Sequence, residues 1–335
     1  MAAAKATFPT KLVRSIAGGR SVDLIGGVWP VATDEFAERA YLAAANPLRN
    51  PLKEVMDGYG GEVRTTPPML GIFSDVPWHQ LRESEVHAWA RAGFTWVVCD
   101  GEHSQSEGRY GREQMAMLLR HGITPIQRLH REARSAHGDA LTLGARATMA
   151  PYGTTLTEAE AYYKCVTYPT VGAATPLDRG GFPMRLGDRS MLFTPDSLKA
   201  TETETQGWIQ FETSEYILDA TVRDAVLDHM AAQGPNKAAG FIGPFDAVMR
   251  GGATPAMADA CDDLISAAAD RGIFMGRVCG SGTCSTEEQI EASMVNAINA
   301  GCRLVCVHYL TSDLPFMGAA TAARPFWSAA KKCGF

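Results

Sequence analysis

Apolar and polar residues follow one repeating pattern through most of this chain. From Pro67 onward, short apolar runs alternate with longer stretches in which apolar residues recur at the spacing of an amphipathic helix. The apolar runs predict strands near 69–74, 96–101, 124–129, 147–151, 207–212, 239–243, 273–278 and 304–309. The stretches between them predict helices near 79–92, 111–121, 138–144, 156–165, 214–233, 255–271 and 285–300, with a last helix after Pro325.

Eight strands that alternate with helices are typical of parallel βαβ units, and the number eight favours a closed barrel. Runs such as Trp96–Cys99 and Leu304–Val307 are continuously apolar, as strands buried on both faces should be. An open doubly wound sheet is the alternative, but it calls for a glycine-rich nucleotide turn after its first strand, and Gly71–Ser74 provides none. The prediction is an α/β fold, a (β/α)8 TIM barrel with an N-terminal extension.

The same pattern predicts the domain boundaries. Residues 1–66 form the N-terminal extension, 67–313 the barrel and 314–335 a C-terminal helical segment. Within the extension, a helical patch from Asp34 to Ala45 is broken at Pro47 and Pro51 and is followed by a glycine-rich turn. The stretch 170–206 lacks periodicity, which is typical of a functional or mobile loop.

Composition narrows the class of partner. The net charge of -6 and the pI near 5.8 give no basic surface for nucleic acid or anionic membrane, so small molecules are the expected partners. No apolar run reaches the roughly 20 residues of a bilayer span. The eight cysteines are scattered without a C-x-x-C pair, which favours reduced thiols and a cytoplasmic protein. The first 22 residues are basic and lack acids, so an organellar transit segment is the alternative.

Candidate chemistry begins where the second predicted strand ends. The apolar run Val97–Cys99 is followed by Asp100, Glu102 and His103. Because the active site of a (β/α)8 barrel lies at the C-terminal ends of its strands, these side chains are candidates for metal binding, proton exchange or ligand binding. A strand that simply leaves the core into a polar loop is the plainer alternative.

Other strand ends add polar residues at the same edge of the barrel. They are Gln127, Arg128 and His130 after strand three, Gln210 and Glu212 after strand five, and Gly243, Pro244 and Asp246 after strand six. Glu212 and Asp246 follow neighbouring strands about 4.8 Å apart, so both carboxylates can reach one ion. Two carboxylates without His or Cys suit a hard cation, Mg²⁺ first and Mn²⁺ next, with Co²⁺ or Zn²⁺ as substitutes. Alternatively, Glu212 caps the next helix and Asp246 closes a turn.

Arg128 ends a buried strand, where a permanent cation needs an anion. A substrate carboxylate or enolate would supply one, and an ion pair with Asp100 or Glu102 would do so as well. These two interpretations do not exclude each other. His130 and His137 are expected in a loop and on the surface.

With these residues in place, the chain resembles the HpcH/HpaI aldolase/citrate lyase family, which comprises metal-dependent class II pyruvate aldolases similar to 4-hydroxy-2-oxoheptanedioate aldolase. The motifs are Ala92-Gly93-Phe94 leading into Asp100-Gly101-Glu102-His103, Pro125 with Arg128, Gln210-Phe211-Glu212, and Phe241-Ile242-Gly243-Pro244-Phe245-Asp246. The resemblance implies that Glu212 and Asp246 bind the divalent ion, that Arg128 stabilises a pyruvate enolate and that His103 assists proton transfer. Gln210, Gly243 and Pro244 would contact substrate, while Asp100 and Glu102 would orient Arg128 and metal-bound water.

The chain departs from the family pattern in the partner of His103. Similar aldolases pair this histidine with an aspartate on the helix that precedes the fourth strand, two residues before the glycine of that helix, and here Thr142 stands at that place before Gly144. Asp139, one helical turn earlier, is the candidate substitute. The linker between Glu212 and Asp246 is also longer than the resemblance implies, which predicts an extended fifth helix.

The expected function is that of a lyase of the aldehyde-lyase type, which cleaves or forms 4-hydroxy-2-oxo acids through a pyruvate enolate. Its substrates would be pyruvate or oxaloacetate together with an aldehyde. The alternatives are an oxaloacetate decarboxylase, an activity like that of macrophomate synthase or an acyl-CoA lyase, and a non-catalytic binding barrel. The resemblance also implies a homo-oligomer, a hexamer with exchanged C-terminal helices, although those helices can equally pack on their own barrel.

Overall fold

Eight parallel strands close into a barrel. The computed structural model describes residues 22–24, 27–29, 50–74, 81–102, 111–129, 134–151, 155–166, 203–243, 255–281, 286–309 and 318–335. The barrel strands are β3 (Met69–Ser74), β4 (Phe94–Asp100), β5 (Thr124–Arg128), β6 (Ala147–Ala150), β7 (Gln206–Phe211), β8 (Ala238–Ile242), β9 (Phe274–Ser281) and β10 (Leu304–Tyr309). Each pairs with the next, and β10 pairs with β3. The predicted (β/α)8 barrel is confirmed.

Helices alternate with these strands. They are α1 (Pro51–Gly58), α2 (Glu83–Ala92), α3 (Gly111–Arg120), α4 (Arg134–Leu143), α5 (Leu156–Val166), α6 (Ser214–Leu218), α7 (Ala220–Ala231), α8 (Pro255–Asp270), α9 (Glu287–Ala300) and α10 (Ala319–Lys332). Two short strands near the N-terminus, β1 (Val22–Leu24) and β2 (Gly27–Trp29), pair antiparallel. The predicted helical patch at 34–45 and most of the long stretch 170–206 lie outside the described residues.

The last helix begins earlier than predicted. Pro325 lies inside α10, although a proline in a helix removes a backbone donor and usually ends or kinks the helix. Tertiary contacts offset that cost: α10 packs between α9 and α2, and the Trp327 indole Nε1 donates to the Ala92 carbonyl at 3.1 Å. A Cβ at Gly93 would lie 2.3 Å from the Trp327 ring, so the fit requires glycine. The segment packs on its own barrel here, and exchange between subunits stays a prediction.

The prediction of a single extended helix after strand five is wrong, because two helices, α6 and α7, occupy that stretch. Asp219 separates α6 from α7 with an extended backbone, and its carboxylate accepts hydrogen bonds from the backbone N–H groups of Thr221 and Val222 at 2.9 and 3.2 Å. Aspartate favours this capping geometry over a place inside a helix, because its short side chain satisfies the free N–H groups of a helix start.

Pro51 starts a helix instead of breaking one. The Asn50 side chain accepts from the Lys53 N–H at 3.1 Å, and a proline in the first turn loses no hydrogen bond there. Leu52 and Met56 from this helix are fully buried in the cluster that fills the barrel interior. Helix α1 therefore closes the N-terminal end of the barrel, while the 66/67 domain boundary stays a prediction.

The barrel interior is set by the two-residue alternation of its strands. On β4, Trp96 and Val98 belong to the interior cluster, whereas Val97 and Cys99 belong to the outer layer under the helices. The next inward position on β4 is Asp100. The same alternation brings the polar residues at the C-terminal ends of the other strands into the mouth of the barrel.

Candidate active site

A buried ion pair joins β4 and β5 at the mouth. Asp100 and Arg128 stand opposite each other in the strand register, and the guanidinium donates from Nε and Nη2 to the two carboxylate oxygens at 2.8 and 2.5 Å. Nη1 lies 2.9 Å from Glu102 Oε2. The structure thus places Arg128 against both acids that the sequence offered as partners, and this bidentate geometry fixes the guanidinium plane.

Charge keeps Arg128 ionised. Burial by itself lowers the pKa of Arg128, but the hydrogen bonds and charge of Asp100, followed by the charges of Glu102 and Glu212, outweigh it and raise that pKa. The guanidinium carbon also lies 4.7 Å from the centre of the Phe73 ring, a cation–π contact. Arg128 is therefore a permanent cation in the mouth.

A tight backbone turn brings Glu102 back to Arg128. The Glu102 N–H donates to Asp100 Oδ1 at 2.8 Å, and the Gly101 N–H donates to the Arg128 carbonyl at 3.0 Å. A Cβ at Gly101 would lie 2.6 Å from that carbonyl oxygen and 2.7 Å from Gln127 Nε2. The glycine in the Asp-Gly-Glu motif is thus required by close packing of the turn on β5.

A second polar pair ends β7 across the mouth. Gln210 Nε2 donates to Glu212 Oε2 at 2.7 Å, and both side chains are buried. Because an ionised carboxylate only accepts hydrogen bonds, the amide NH₂ must face Glu212 and the amide oxygen must point elsewhere. That oxygen, Gln210 Oε1, is buried and accepts no hydrogen bond from the described residues.

Gly243, at the end of β8, leaves room for this pair. A Cβ there would lie 2.5 Å from Gln210 Nε2 and 3.4 Å from Glu212 Oε2. A larger residue would push the amide away from the carboxylate. The glycine of the Phe-Ile-Gly-Pro motif therefore preserves the arrangement of Gln210 and Glu212.

The described donors suit a hard cation. The carboxylate of Glu212 and the buried amide oxygen of Gln210 are oxygen ligands, and no cluster of three His, Cys, Asp or Glu residues within the described ranges offers a softer site. Three carboxylates accompany the guanidinium of Arg128 at this mouth: those of Asp100, Glu102 and Glu212. Asp246 and Pro244 lie outside the described residues, so the second carboxylate ligand stays a prediction.

The structure does not bring Asp139 to the mouth. Asp139 is exposed on α4, whereas His137, about 200° away around the helix, is 5% exposed and packs inward. Thr142 is part of the same helix, and His103 and His130 lie outside the described residues. The pairing of His103 with an acid therefore remains a prediction, and the exposed position of Asp139 gives it no support.

The expectation that His137 is a surface residue is wrong. Its Nδ1 lies 3.1 Å from Thr148 Oγ1, and its ring lies 5.0 Å from that of Tyr162, beneath the helices on the outside of β6. Burial lowers the pKa of His137 to about 4. This imidazole is a neutral core residue rather than part of the candidate site.

Sequence reasoning missed one side chain at the mouth, His308. Leu304 and Cys306 on β10 face the barrel interior, so His308 is the next inward position at the C-terminal end of the strand. Its ring lies 5.7 Å from the Phe73 ring. The two-residue alternation along β10 was enough to predict that His308 faces inward, but the residue belongs to none of the motifs used above.

Comparison with known proteins finds aldolases. No family model matches the chain. A hydroxypyruvate/pyruvate aldolase of Roseobacter denitrificans is 29% identical over 173 residues, which span 50% of this chain and 61% of that protein. The resemblance to pyruvate aldolases that the sequence motifs indicated is confirmed. A relative of this chain is thus named as an aldolase, and the chain carries buried carboxylates at two strand ends, Asp100 and Glu212.

Solved structures share the barrel. An HpcH/HpaI aldolase/citrate lyase family protein from Burkholderia cenocepacia matches 85% of this chain and 99% of its own length, with 20% identity and a TM-score of 0.60. Macrophomate synthase matches 85% of this chain and 91% of its own, with 17% identity and a TM-score of 0.52. At such identities the likeness establishes the fold alone.

None of the described helices is long and apolar enough to cross a membrane.

Proposed function

We propose that this protein is a divalent-metal-dependent lyase that joins pyruvate or hydroxypyruvate to an aldehyde, and cleaves the resulting 4-hydroxy-2-oxo acid. The observation that carries the proposal is the pairing of Gln210 with Glu212 at the end of β7, facing an Arg128 held by two acids. The aldolase-named relative supports the same reaction class and the choice of donor.

Charge balance supports a metal in the proposed site. Asp100 and Glu102 already neutralise Arg128, so an incoming oxo-acid carboxylate gains little net attraction from the guanidinium alone. Glu212 adds a further negative charge to the mouth. We propose that Glu212, Asp246 and the Gln210 amide oxygen hold a divalent ion, with Mg²⁺ as the first candidate. Such an ion would act as a Lewis acid when bound.

Arg128 has the geometry to stabilise the enolate. A guanidinium carries five N–H donors; Asp100 accepts from two of them and Glu102 lies 2.9 Å from Nη1, so two donors remain for a substrate oxyanion. Because Asp100, Glu102 and Phe73 hold the guanidinium plane in place, those donors need not reorganise as negative charge develops. Arg128 thereby lowers the barrier to removing a proton from a weak carbon acid.

The proposed reaction moves one proton in each direction. A base, which we propose is His103, removes a proton from the carbon next to the donor's keto group and leaves an enolate. That carbon forms the new bond with the aldehyde carbonyl carbon, and the aldehyde oxygen takes up a proton to become the hydroxyl group. Cleavage is the reverse sequence.

Proton exchange on the donor tests the proposal without choosing an aldehyde. The protein is incubated with pyruvate in D₂O, and NMR follows loss of the methyl proton signal with Mg²⁺, with Mn²⁺ and with EDTA. We expect exchange that depends on the metal and stops with EDTA. An absence of metal-dependent exchange, together with an absence of metal-dependent oxaloacetate decarboxylation, would refute the proposal.

A panel of aldehydes then separates the reaction classes. Mass spectrometry of mixtures containing pyruvate and each aldehyde should detect a product whose mass is the sum of the two reactants. Decarboxylation of oxaloacetate without any such adduct would identify a decarboxylase that uses the same enolate. Tight metal binding with neither reaction would identify a binding barrel.

A further inference from the structure

His308 occupies the mouth on the side of strand β10. In the strand register it stands opposite Phe73 on β3, and the two rings pack edge to face at 5.7 Å with an interplanar angle of 78°. The side chain is partly buried, as expected for a residue between the interior and the open end of the barrel. The imidazole therefore lies at the inward side of the C-terminal end of β10.

Phe73 connects His308 to the proposed donor site. The same Phe73 ring carries the Arg128 guanidinium at 4.7 Å and contacts the Phe241 ring at 5.6 Å. The guanidinium and the imidazole therefore both lie against the Phe73 ring, and the fully buried Phe241 supports that ring from the barrel interior. One ring thus separates the guanidinium from the imidazole.

The position of the donor determines where the acceptor must lie. If the oxo-acid end of the substrate is held at Arg128, Gln210 and Glu212, the aldehyde must approach the reactive carbon from the rest of the mouth. The Phe73 ring then lies next to the carbon chain of the aldehyde, and His308 packs against the same ring. A hydrogen-bonding group at the edge of an apolar surface selects ligands that carry an oxygen at that point.

We propose that His308 is a specificity-determining residue that binds the second oxygen-bearing group of the aldehyde acceptor, a hydroxyl or a carboxylate. The acceptor class is thus a short aldehyde with a polar substituent rather than a plain alkyl aldehyde. This inference rests on the proposed function, because it names the second substrate of the same site.

Two substitutions test the role of His308. His308→Phe keeps an aromatic ring against Phe73 but removes the hydrogen bond, and His308→Gln keeps a hydrogen-bonding group. For each variant, kcat/KM is measured with pyruvate and three acceptors: glyoxylate, glycolaldehyde and propanal. The matched control is His87→Phe, because His87 lies on the outer helix α2.

We expect His308→Phe to lower kcat/KM for glyoxylate or glycolaldehyde, relative to propanal, by about tenfold or more, since a buried polar contact typically contributes a factor of this size. His308→Gln should recover part of that preference, and His87→Phe should match the wild type. A ratio unchanged in both His308 variants would overturn the proposal. An equal loss with all three aldehydes would also overturn it, because that result indicates a structural role.

The outcomes also separate this inference from the proposed function. A wild-type protein that shows neither metal-dependent proton exchange nor metal-dependent oxaloacetate decarboxylation refutes both proposals together. A wild type that exchanges protons and forms adducts, but shows the same acceptor preference as its His308 variants, removes only the role of His308. Should His308→Phe fail to fold, as judged by circular dichroism, His308→Ala replaces it, because alanine also lacks a hydrogen-bonding side chain, and an acceptor ratio equal to that of the wild type would overturn the proposal.

Discussion

Two glutamines on strand β7 show how differently the two ends of the barrel use buried polar groups. Gln206, at the N-terminal end, is satisfied at both ends of its amide: it donates to the Asn236 carbonyl at 2.9 Å and accepts from Asn50 Nδ2 at 3.3 Å. Gln210, on the same face of the strand, donates to Glu212, while its oxygen has no partner among the described residues.

Polar groups at the N-terminal end of the barrel stabilise the fold, whereas we propose that those at the C-terminal end serve chemistry. At the N-terminal end, Asn50 and Thr124 fix helix α1 over the interior, so the polar groups there complete the fold. At the C-terminal end, buried acids surround one guanidinium, and the buried Gln210 Oε1 accepts no hydrogen bond from the part of the chain that the structure describes. This arrangement does not stabilise the fold, because buried unsatisfied polar groups cost free energy. We therefore propose that a ligand interacts with these groups.

The largest expected effect comes from the proposed metal ligand. Glu212→Gln removes one charged ligand, and we expect metal-dependent proton exchange to fall on the order of 10³-fold, since a bound cation contributes several kcal/mol to stabilising the oxyanion. Calorimetry should show weaker Mn²⁺ binding. The exposed Glu288→Gln is the control, and wild-type metal affinity in the Glu212 variant would contradict the assigned site.

The next effect concerns stability at low pH and should not involve the mouth. His137 has a pKa of about 4 in the folded protein against 6.5 for an ordinary histidine, because burial disfavours its charged form. Between those values the unfolded chain binds more protons, so stability is lost as the pH falls from 6.5 towards 4, by about 3 kcal/mol.

Urea denaturation at several pH values measures that loss. His137→Gln should flatten the dependence between pH 4 and 6.5, whereas His87→Gln should keep it. A wild type whose stability is constant over this range would show that His137 is not held neutral in the folded protein.

Arg128→Lys sharpens the comparison because it changes both activity and stability. A lysine keeps the positive charge but cannot donate to both oxygens of Asp100 while facing Glu102, so one acid loses its partner. We expect about a hundredfold loss of exchange activity and a loss of 1–3 kcal/mol in the free energy of unfolding, given as rough magnitudes. Wild-type kinetics in this variant would exclude Arg128 from the reaction.

The smallest effect is the most direct test of the contrast between the two glutamines. Gln206→Ala should lower the free energy of unfolding by about 2 kcal/mol, since it leaves the partners Asn50 and Asn236 unsatisfied, with little change in KM. Gln210→Ala should weaken Mn²⁺ binding and activity with a smaller change in stability. The reverse result would show that the two ends of the barrel do not differ in this way.

The sequence predicted the barrel well because buried parallel strands leave a strong apolar signal. The runs at 69–74 and 304–309 match β3 and β10 at both ends. Where the signal was weaker, other interactions decided. Pro325 is tolerated in α10 because of tertiary packing around Trp327. Asp219 divides a helix that periodicity alone predicted as continuous, and it does so locally, by capping the helix that follows it.

The candidate site shows the same division. Alternation along β7 was enough to place Gln210 and Glu212 on one face, and the position of Arg128 at a strand end already indicated a buried cation. The bidentate pairing with Asp100 required the register between β4 and β5. The burial of His137 and the contact of His308 with Phe73 likewise depend on neighbouring strands or helices.

By itself, then, the sequence determined the eight strands, the edge of the barrel at which polar groups gather, and the acids and the arginine that gather there. Apolar periodicity is a local property, and the ends of parallel strands meet by necessity once the sheet closes. The tertiary structure decided that Asp100 and Glu102 both pair with Arg128, that Gln210 Oε1 has no partner among the described residues, and that His308 packs against Phe73. Those outcomes depend on strand register and on packing between residues far apart in the chain.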